Sequence, residues 1–244
     1  MPSTLPDGEP VPASGALPEG VRVREPFGVY VHVPFCASRC GYCDFNTYTE
    51  LGHLQSSWAD TAVAEVRLAR DAVGPVPVHT VFVGGGTPTL LPSADLVRVL
   101  REVDEQFGLV PGAEVTTEAN PDSVTPESLA ELRAGGFTRI SFGMQSASSG
   151  VLRVLDRTHV PGRAQQAVRE AFSAGFEQVS LDLIYGTPGE SDDDWRRSLE
   201  AALSAQPTHV SAYALIVEEG TALGRSVARG LLPAPDDEIG RPHV

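Results

Sequence analysis

The sequence predicts an α/β fold: a partial barrel of six parallel strands, (β/α)6, similar to an incomplete TIM barrel. Six apolar stretches alternate with helical segments along 244 residues, at roughly the spacing of βα units. This alternation favours parallel strands joined by right-handed crossovers, and six units are too few for a closed barrel of eight strands. Glycine-rich or polar residues lie at the ends of these stretches, where parallel α/β folds carry their sites.

The order of elements follows from apolar periodicity and from helix-start signals. Val29, Val31 and Val33 alternate with other residues, as in a half-buried strand. The predicted strands are 29–33, 80–83, about 114–119, 139–144, 179–185 and 209–215. The predicted helices are about 53–72, 93–107, a helix starting at Thr125, two segments separated by Pro161-Gly162, and a helix opened by Ser191 and three aspartates.

The first 26 residues differ from the rest of the chain. They are rich in proline, glycine and small residues and offer few apolar groups to bury. We therefore predict a flexible tail at 1–26 and a folded core domain at 27–230.

Composition restricts the possible partners and compartment. Lys plus Arg is 18 and Asp plus Glu is 32, so the formal net charge is 18 − 32 = −14. Such a charge, with no basic cluster, argues against nucleic acid and anionic membranes as partners. No apolar run approaches the ~20 residues of a transmembrane helix, and we see no signal-peptide pattern. Free cysteines confined to one motif fit a reducing compartment, so the sequence predicts a cytoplasmic protein.

All three cysteines of the chain lie within eight residues, as Cys36, Cys40 and Cys43. Adjacent disulfides would be strained at this C-x3-C-x2-C spacing, and three thiols leave one unpaired. Soft thiolates turned towards one point favour an iron–sulfur cluster or zinc. A structural zinc site normally has four protein ligands, so zinc would need a histidine as the fourth. A cubane cluster held by three thiolates would leave one iron open for chemistry.

The cysteine motif, with Tyr42 before its third cysteine and Asp44-Phe45 after it, resembles the radical SAM (S-adenosylmethionine) superfamily. The wider segment 28–46 is similar to the branch that holds the oxygen-independent coproporphyrinogen III oxidases and the radical SAM haem chaperones. The resemblance implies a [4Fe-4S] cluster on Cys36, Cys40 and Cys43 and a radical SAM core with the partial barrel fold. It further implies reductive cleavage of SAM to a 5′-deoxyadenosyl radical, which abstracts a hydrogen atom, and an electron donor for the cluster.

The same resemblance assigns the SAM-binding residues. Gly85, Gly86 and Thr87, in a Gly-Gly-Gly-Thr-Pro element, match the loop that binds the methionine end of SAM, and Glu118 matches the acid that accepts its ribose hydroxyls. The remaining matched positions are Tyr30, Tyr42, Gln145, Arg157, Asp182 and Ala214. Tyr30 and Tyr42 could instead be core residues, Arg157 could form a surface salt bridge, and one or two SAM molecules could bind. His32 is predicted to be a hydrogen-bonded core histidine.

One position separates the two activities of this branch. The oxidases carry a fourth cysteine two residues after the third, where this chain has Phe45. Cys-Asp-Phe is typical of the haem chaperones, so we expect a protein that binds haem as cargo and transfers it to acceptor proteins. The alternatives are a coproporphyrinogen III oxidase and a zinc-stabilised barrel without radical chemistry.

The resemblance covers about residues 27–238, and its family members continue well beyond that point. We therefore expect 231–244 to be the remnant of a C-terminal domain, and the chain to be C-terminally truncated.

Overall fold

The structure of the protein is a computed structural model. It describes residues 23–235 without a break and, before them, residues 12, 15 and 17. Most of the predicted tail at 1–26, and the part of the predicted remnant that follows residue 235, lie outside the described residues.

The central element is one parallel sheet of six strands, as predicted. Its strands are adjacent in chain order, and every neighbouring pair is parallel. Over the range that the structure describes, the first and the last strand each have a strand neighbour on one side only. The sheet is therefore an open, partial barrel. The strands are β1 (Phe27–Val33), β2 (Val78–Gly85), β3 (Leu109–Ala119), β4 (Arg139–Gln145), β5 (Gln178–Tyr185) and β6 (His209–Ala214).

Helices connect the strands. They are α1 (Gln55–Val73), α2 (Ser93–Phe107), α3 (Pro126–Ala134), α4 (Ser149–Val154), α5 (Arg163–Ser173), α6 (Asp192–Ser204) and α7 (Ala222–Ala228). The helices predicted from the sequence are all present, whereas α7 was not predicted. Thr125 and Ser191 cap α3 and α6 with reciprocal capping boxes, which explains why both start signals were readable.

Strand β3 starts earlier than the predicted residue 114. Leu109 pairs with Val78, but the next pair joins Thr80 to Glu114. The extra residues between these pairs form an irregularity that contains Gly112 at φ 80°. Pro111 and Gly112 interrupt the apolar pattern there, so the first part of the strand was not recognisable from the sequence.

The two faces of the sheet differ in polarity. On β4, Ile140, Phe142 and Met144 are buried in the main apolar core, whereas the alternate residues Ser141, Gly143 and Gln145 line a cavity on the other face. Successive side chains of a strand point to opposite faces, so the concave face is polar. The interior of this partial barrel therefore contains a cavity, whereas a complete barrel fills its interior with packed side chains.

Among the helices of the described segments, none combines the length and the hydropathy that crossing a membrane requires.

Candidate functional site

The cavity lies at the carboxyl ends of the strands and has a volume of about 290 Å³. It brings together residues that are far apart in the sequence. Among the predicted site residues, its wall contains Cys36, Cys40, Tyr42, Cys43, Gly85, Gly86, Thr87, Glu118, Gln145, Arg157 and Asp182. Tyr30 and Ala214 do not line this cavity.

The cysteine loop leaves β1 and returns beside it. The amide of Cys36 donates to the carbonyl of Tyr48 at 3.0 Å, and the amide of Tyr48 donates to the carbonyl of Pro34 at 2.7 Å. These bonds close the loop at its base. The three thiols are free and half-buried. Burial raises the pKa of the Cys36 thiol, and the hydroxyls of Thr47 and Thr87 oppose that rise.

The three thiols line the same cavity, but they do not yet converge. Across the described part of the chain, no three His, Cys, Asp or Glu side chains form a group that could hold a metal ion as they stand. The donor set of soft thiolates nevertheless suits an iron–sulfur cluster. Binding a cluster requires the thiols to turn within the loop towards one point.

The glycine loop packs directly against the base of the cysteine loop. The Gly86 amide donates to the Val33 carbonyl and the Thr87 amide to the Phe35 carbonyl, both at 2.7 Å. A Cβ atom on Gly86 would lie 2.4 Å from the Phe35 carbonyl oxygen. Gly85 has φ 108°, and a Cβ there would lie 2.4 Å from the His32 ring. Both positions therefore require glycine for space, and Gly85 also requires it for its backbone conformation.

Glu118 and Asp182 are two carboxylates on the cavity wall. Glu118 accepts a hydrogen bond from the Gly85 amide at 3.0 Å. Burial raises the pKa of Glu118, the charge of Asp182 raises it further, and the Gly85 amide and His32 oppose the rise. Asp182 accepts from the Ser141 hydroxyl at 2.9 Å. Burial also raises the pKa of Asp182, against the hydroxyls of Ser141 and Ser211. Two half-buried carboxylates on one cavity favour a ligand that carries hydroxyl donors or a positive charge.

Arg157 reaches inward and, within the part of the chain that the structure describes, forms no surface salt bridge. Its Nη2 donates to the Gly143 carbonyl at 2.8 Å, and its Nη1 donates to Cys40 Sγ at 3.5 Å. Its Nε is buried and has no hydrogen-bond partner among the described residues. The guanidinium therefore places a positive charge beside the cysteine loop. Next to it, Gln145 ends β4 with the uncommon φ of 62°.

The two predicted residues outside the cavity differ from each other. The Tyr30 side chain is 58% exposed, so it is not a core residue. Its ring stacks on Phe82 and its hydroxyl donates to His32 Nδ1 at 2.9 Å. His32 Nε2 in turn donates to the Asn46 carbonyl at 2.9 Å, so His32 is hydrogen-bonded as predicted, but it is half-buried at the edge of the site. Ala214 is exposed at the end of β6.

Several polar residues of the cavity were not singled out from the sequence. They are Asn120, Asp122, Ser123, Ser141, Asp156 and Thr158. For Ser141 a signal existed, because it stands four positions before Gln145 on the same strand and so faces the same side. Asn120 and Asp122 continue the alternation from Glu118 beyond the strand end. The loop residues Asp156 and Thr158 carry no such pattern.

The chain is similar to a known family and to several known proteins. The family model "Radical SAM superfamily" matches residues 30–202. The chain is 57% identical over 218 residues to "Heme chaperone HemW" of Mycobacterium tuberculosis, covering 88% of this chain and 56% of that protein. It is 39% identical to "Radical S-adenosyl methionine domain-containing protein 1, mitochondrial" of Bos taurus, covering 86% of this chain and 48% of that protein. The chain thus spans about half the length of the curated relatives it matches.

A solved structure supports the fold. Coproporphyrinogen III oxidase (HemN) from Escherichia coli, described as a radical SAM enzyme, superposes with a TM-score of 0.77 at 28% identity. The match covers 85% of this chain and 48% of that chain. The archaeal Elp3 of Methanocaldococcus infernus superposes with a TM-score of 0.57 at 18% identity, which indicates a shared fold and no more.

Proposed function

The chain belongs to the radical SAM superfamily, and from that membership we propose that it holds a [4Fe-4S] cluster and SAM in the cavity and serves as a haem chaperone. The observation that carries the proposal is the cavity itself. Its wall contains the three free thiols, the Gly85-Gly86-Thr87 loop and the Glu118 carboxylate together.

The thiols suit a cluster that keeps one iron open. Cys36, Cys40 and Cys43 are the only cysteines of the chain, so a cubane cluster would have three protein ligands. The Arg157 guanidinium beside Cys40 would offset part of the negative charge of the thiolates. In radical SAM proteins, the cluster and SAM together supply one-electron cleavage of the sulfonium. The residues of this chain would bind and orient the cluster and SAM and shield the reaction from water.

The remaining cavity residues have roles that suit SAM. Gly85 and Gly86 leave space for the methionine end of the ligand to approach the main chain. Glu118 already accepts one amide hydrogen, and its other lone pairs could accept the ribose hydroxyls. Asp182, Gln145 and Arg157 line the same cavity. They would contact the same SAM or a second one.

Phe45 favours haem transfer over porphyrinogen oxidation. It stands where the oxidases carry a fourth cysteine, it lines the cavity, and its side chain is 59% exposed. The Mycobacterium tuberculosis relative named as a heme chaperone shares 57% identity with the chain. We propose haem or a related porphyrin as the cargo, haem-acceptor proteins and an electron donor as partners, and the cytoplasm as the compartment. The three unpaired thiols fit that compartment.

Anaerobic reconstitution tests the proposal. The 244-residue chain is incubated with iron and sulfide, and its iron content and electron paramagnetic resonance (EPR) spectrum are recorded with and without SAM. We expect about four irons per chain, a spectrum that SAM changes, and stoichiometric haem binding. Cys36→Ala should lose the cluster signal, with Ser57→Ala on the exposed face of α1 as the matched control.

Each alternative has its own outcome in the same experiment. Conversion of coproporphyrinogen III to its divinyl product under these conditions would favour the oxidase. Zinc without iron in the purified protein, together with failure of reconstitution, would favour the zinc-stabilised barrel and refute the proposal.

A further inference from the structure

A tripeptide after α4 contacts three consecutive residues of the cysteine loop. The Leu155 carbonyl accepts a hydrogen bond from the Gly41 amide at 3.2 Å. Arg157 Nη1 donates to the sulfur of Cys40 at 3.5 Å. The Leu155 side chain is fully buried in a small apolar cluster against which Tyr42 packs. Residues 155–157 therefore hold the loop through its backbone, a thiol and an aromatic ring.

Helix α7 holds the same loop from a second side. The Leu223 amide donates to the Gly41 carbonyl at 2.8 Å. Leu223 lies in the first turn of α7, where amides have no acceptor within the helix. The Thr221 hydroxyl caps the Gly224 amide, which leaves the Leu223 amide for the loop. The Leu223 side chain is buried in the same small cluster as Leu155.

Gly41 is the point where the two sides meet. Both its amide and its carbonyl are used, one towards Leu155 and one towards Leu223. Its φ is not in the left-handed region, so its backbone does not demand glycine. A Cβ atom there would lie 2.5 Å from Asp156 Oδ2 and 3.3 Å from Asp156 Cγ. The Asp156 carboxylate must therefore move if Gly41 is to carry a side chain.

Asp156 follows α4 in a left-handed conformation, with a φ of 52°. The Arg157 amide donates to the Leu152 carbonyl at 2.8 Å, which is the bond of a helix C-terminal cap whose next residue is left-handed. This cap turns the tripeptide so that the Leu155 carbonyl and the Arg157 side chain both face the cysteine loop.

We infer that residues 155–157 and Leu223 position the cysteine loop, with Leu155 and Leu223 hydrogen-bonded to Gly41 from both sides. We call these four residues the dock. The inference rests on the proposed function, because the docked loop is the proposed cluster-binding loop. Helix α7 lies beyond residues 30–202, which the family model matches. The small apolar cluster of the dock is separate from the main core. Loosening the dock should therefore release the iron–sulfur cluster without unfolding the barrel.

Leu223→Ala tests the helix side of the dock, with Leu129→Ala as its matched control. Both leucines are almost fully buried, but Leu129 belongs to the main core. The reconstituted proteins are exposed to an iron chelator, and the melting temperature (Tm) of the metal-free proteins is measured. Leu223→Ala should shorten the half-time of iron extraction at least fivefold. Leu129→Ala should lower Tm at least as much, with extraction close to that of the unmodified chain. Extraction that follows Tm in both variants would overturn the inference.

Gly41→Ala tests the loop side, and Asp156→Gly serves as its rescue. Gly41→Ala alone should speed iron extraction, because the new methyl group displaces the Asp156 carboxylate. In the double variant, extraction should return towards the rate of the unmodified chain. The carboxylate is then gone, and glycine adopts a positive φ without strain. A double variant that loses iron faster than Gly41→Ala would contradict the dock.

Alkylation of the metal-free thiols separates this inference from the proposed function. The dock predicts faster reaction of Cys40 with iodoacetamide in Leu223→Ala than in Leu129→Ala, whether or not a cluster forms. If the unmodified chain takes up no iron but Cys40 behaves in this way, the proposed function fails and the dock stands. Equal alkylation rates of Cys40 in the two variants would contradict the inference that the dock positions the cysteine loop.

Discussion

Gly86→Ala should damage both the stability and the site of this protein. The Cβ atom of alanine would lie 2.4 Å from the Phe35 carbonyl oxygen and 2.9 Å from both the Phe35 carbonyl carbon and the Val33 carbonyl oxygen. All three are backbone atoms, so no side-chain rotation can relieve the contacts. The glycine loop must move away from the cysteine loop, which stretches the bonds from Gly86 to Val33 and from Thr87 to Phe35.

The size of the effect follows from these contacts. Overpacking costs about 1–3 kcal/mol, and each weakened hydrogen bond adds about 0.5–1.5 kcal/mol. A loss of about 3 kcal/mol corresponds to a fall in Tm of about 6–12 °C for a chain of this size. Calorimetry of the metal-free protein measures this fall. Titration calorimetry with SAM should show weaker binding, because the loop that receives the methionine end has shifted.

Gly52→Ala is the matched control. A Cβ atom at Gly52 meets nothing within 4 Å, and the residue lies in a short 3-10 turn before α1. Its unfolding free energy should change by no more than about 0.5 kcal/mol. If Gly86→Ala and Gly52→Ala had the same Tm and the same affinity for SAM, the steric argument for the glycine loop would be wrong.

Three further predictions concern titratable groups whose pKa values are shifted by burial. Glu118→Gln should raise Tm near pH 7, because burial raises the pKa of this carboxyl and its ionised form is unfavourable in the fold. The same variant should weaken SAM binding about tenfold or more. Unchanged affinity in titration calorimetry would exclude Glu118 from the site. Burial raises the pKa of Glu190 to about 7, so stability should fall as pH rises from about 4.5 towards 7. Glu190→Gln should remove this fall in urea midpoints measured at about pH 5 and pH 8. The same change of midpoint with pH in the variant would contradict this role of Glu190. Burial lowers the pKa of His159 to about 4. The unfolded chain therefore binds a proton below about pH 6.5 that the folded chain does not bind, and stability should fall as pH falls from about 6.5 towards 4. His159→Gln should reduce this loss of stability in urea midpoints, and an unchanged loss would assign it to other groups.

Much of the fold could be predicted because its signals are local. The valine alternation of β1, the capping residues Thr125 and Ser191, and the glycines at the end of β2 all act within a few residues of the chain. Helix α7 was not predicted. Its segment includes Gly224, and Leu223 is its one buried residue, so it shows no apolar stripe of helical period.

The candidate site was predictable where its residues lie in the carboxyl-terminal halves of strands. Parallel strands bring their carboxyl ends to one edge, so Gly85, Glu118 and Asp182 could be expected to meet there. Arg157 could not be assigned in this way, because it follows a helix and its direction depends on the packing around it. Its inward contacts with Gly143 and Cys40 appear only in the folded chain.

The sequence by itself determined the order of the strands, the spacing of the three thiols and the polar character of the strand ends, because these depend on neighbours along the chain. Only the tertiary structure decided which residues contact and position the cysteine loop. Leu155 and Leu223 reach Gly41 from distant parts of the chain, through the crossovers that wind the sheet into a partial barrel. No local pattern encodes such contacts, since they arise from the space left when the elements pack.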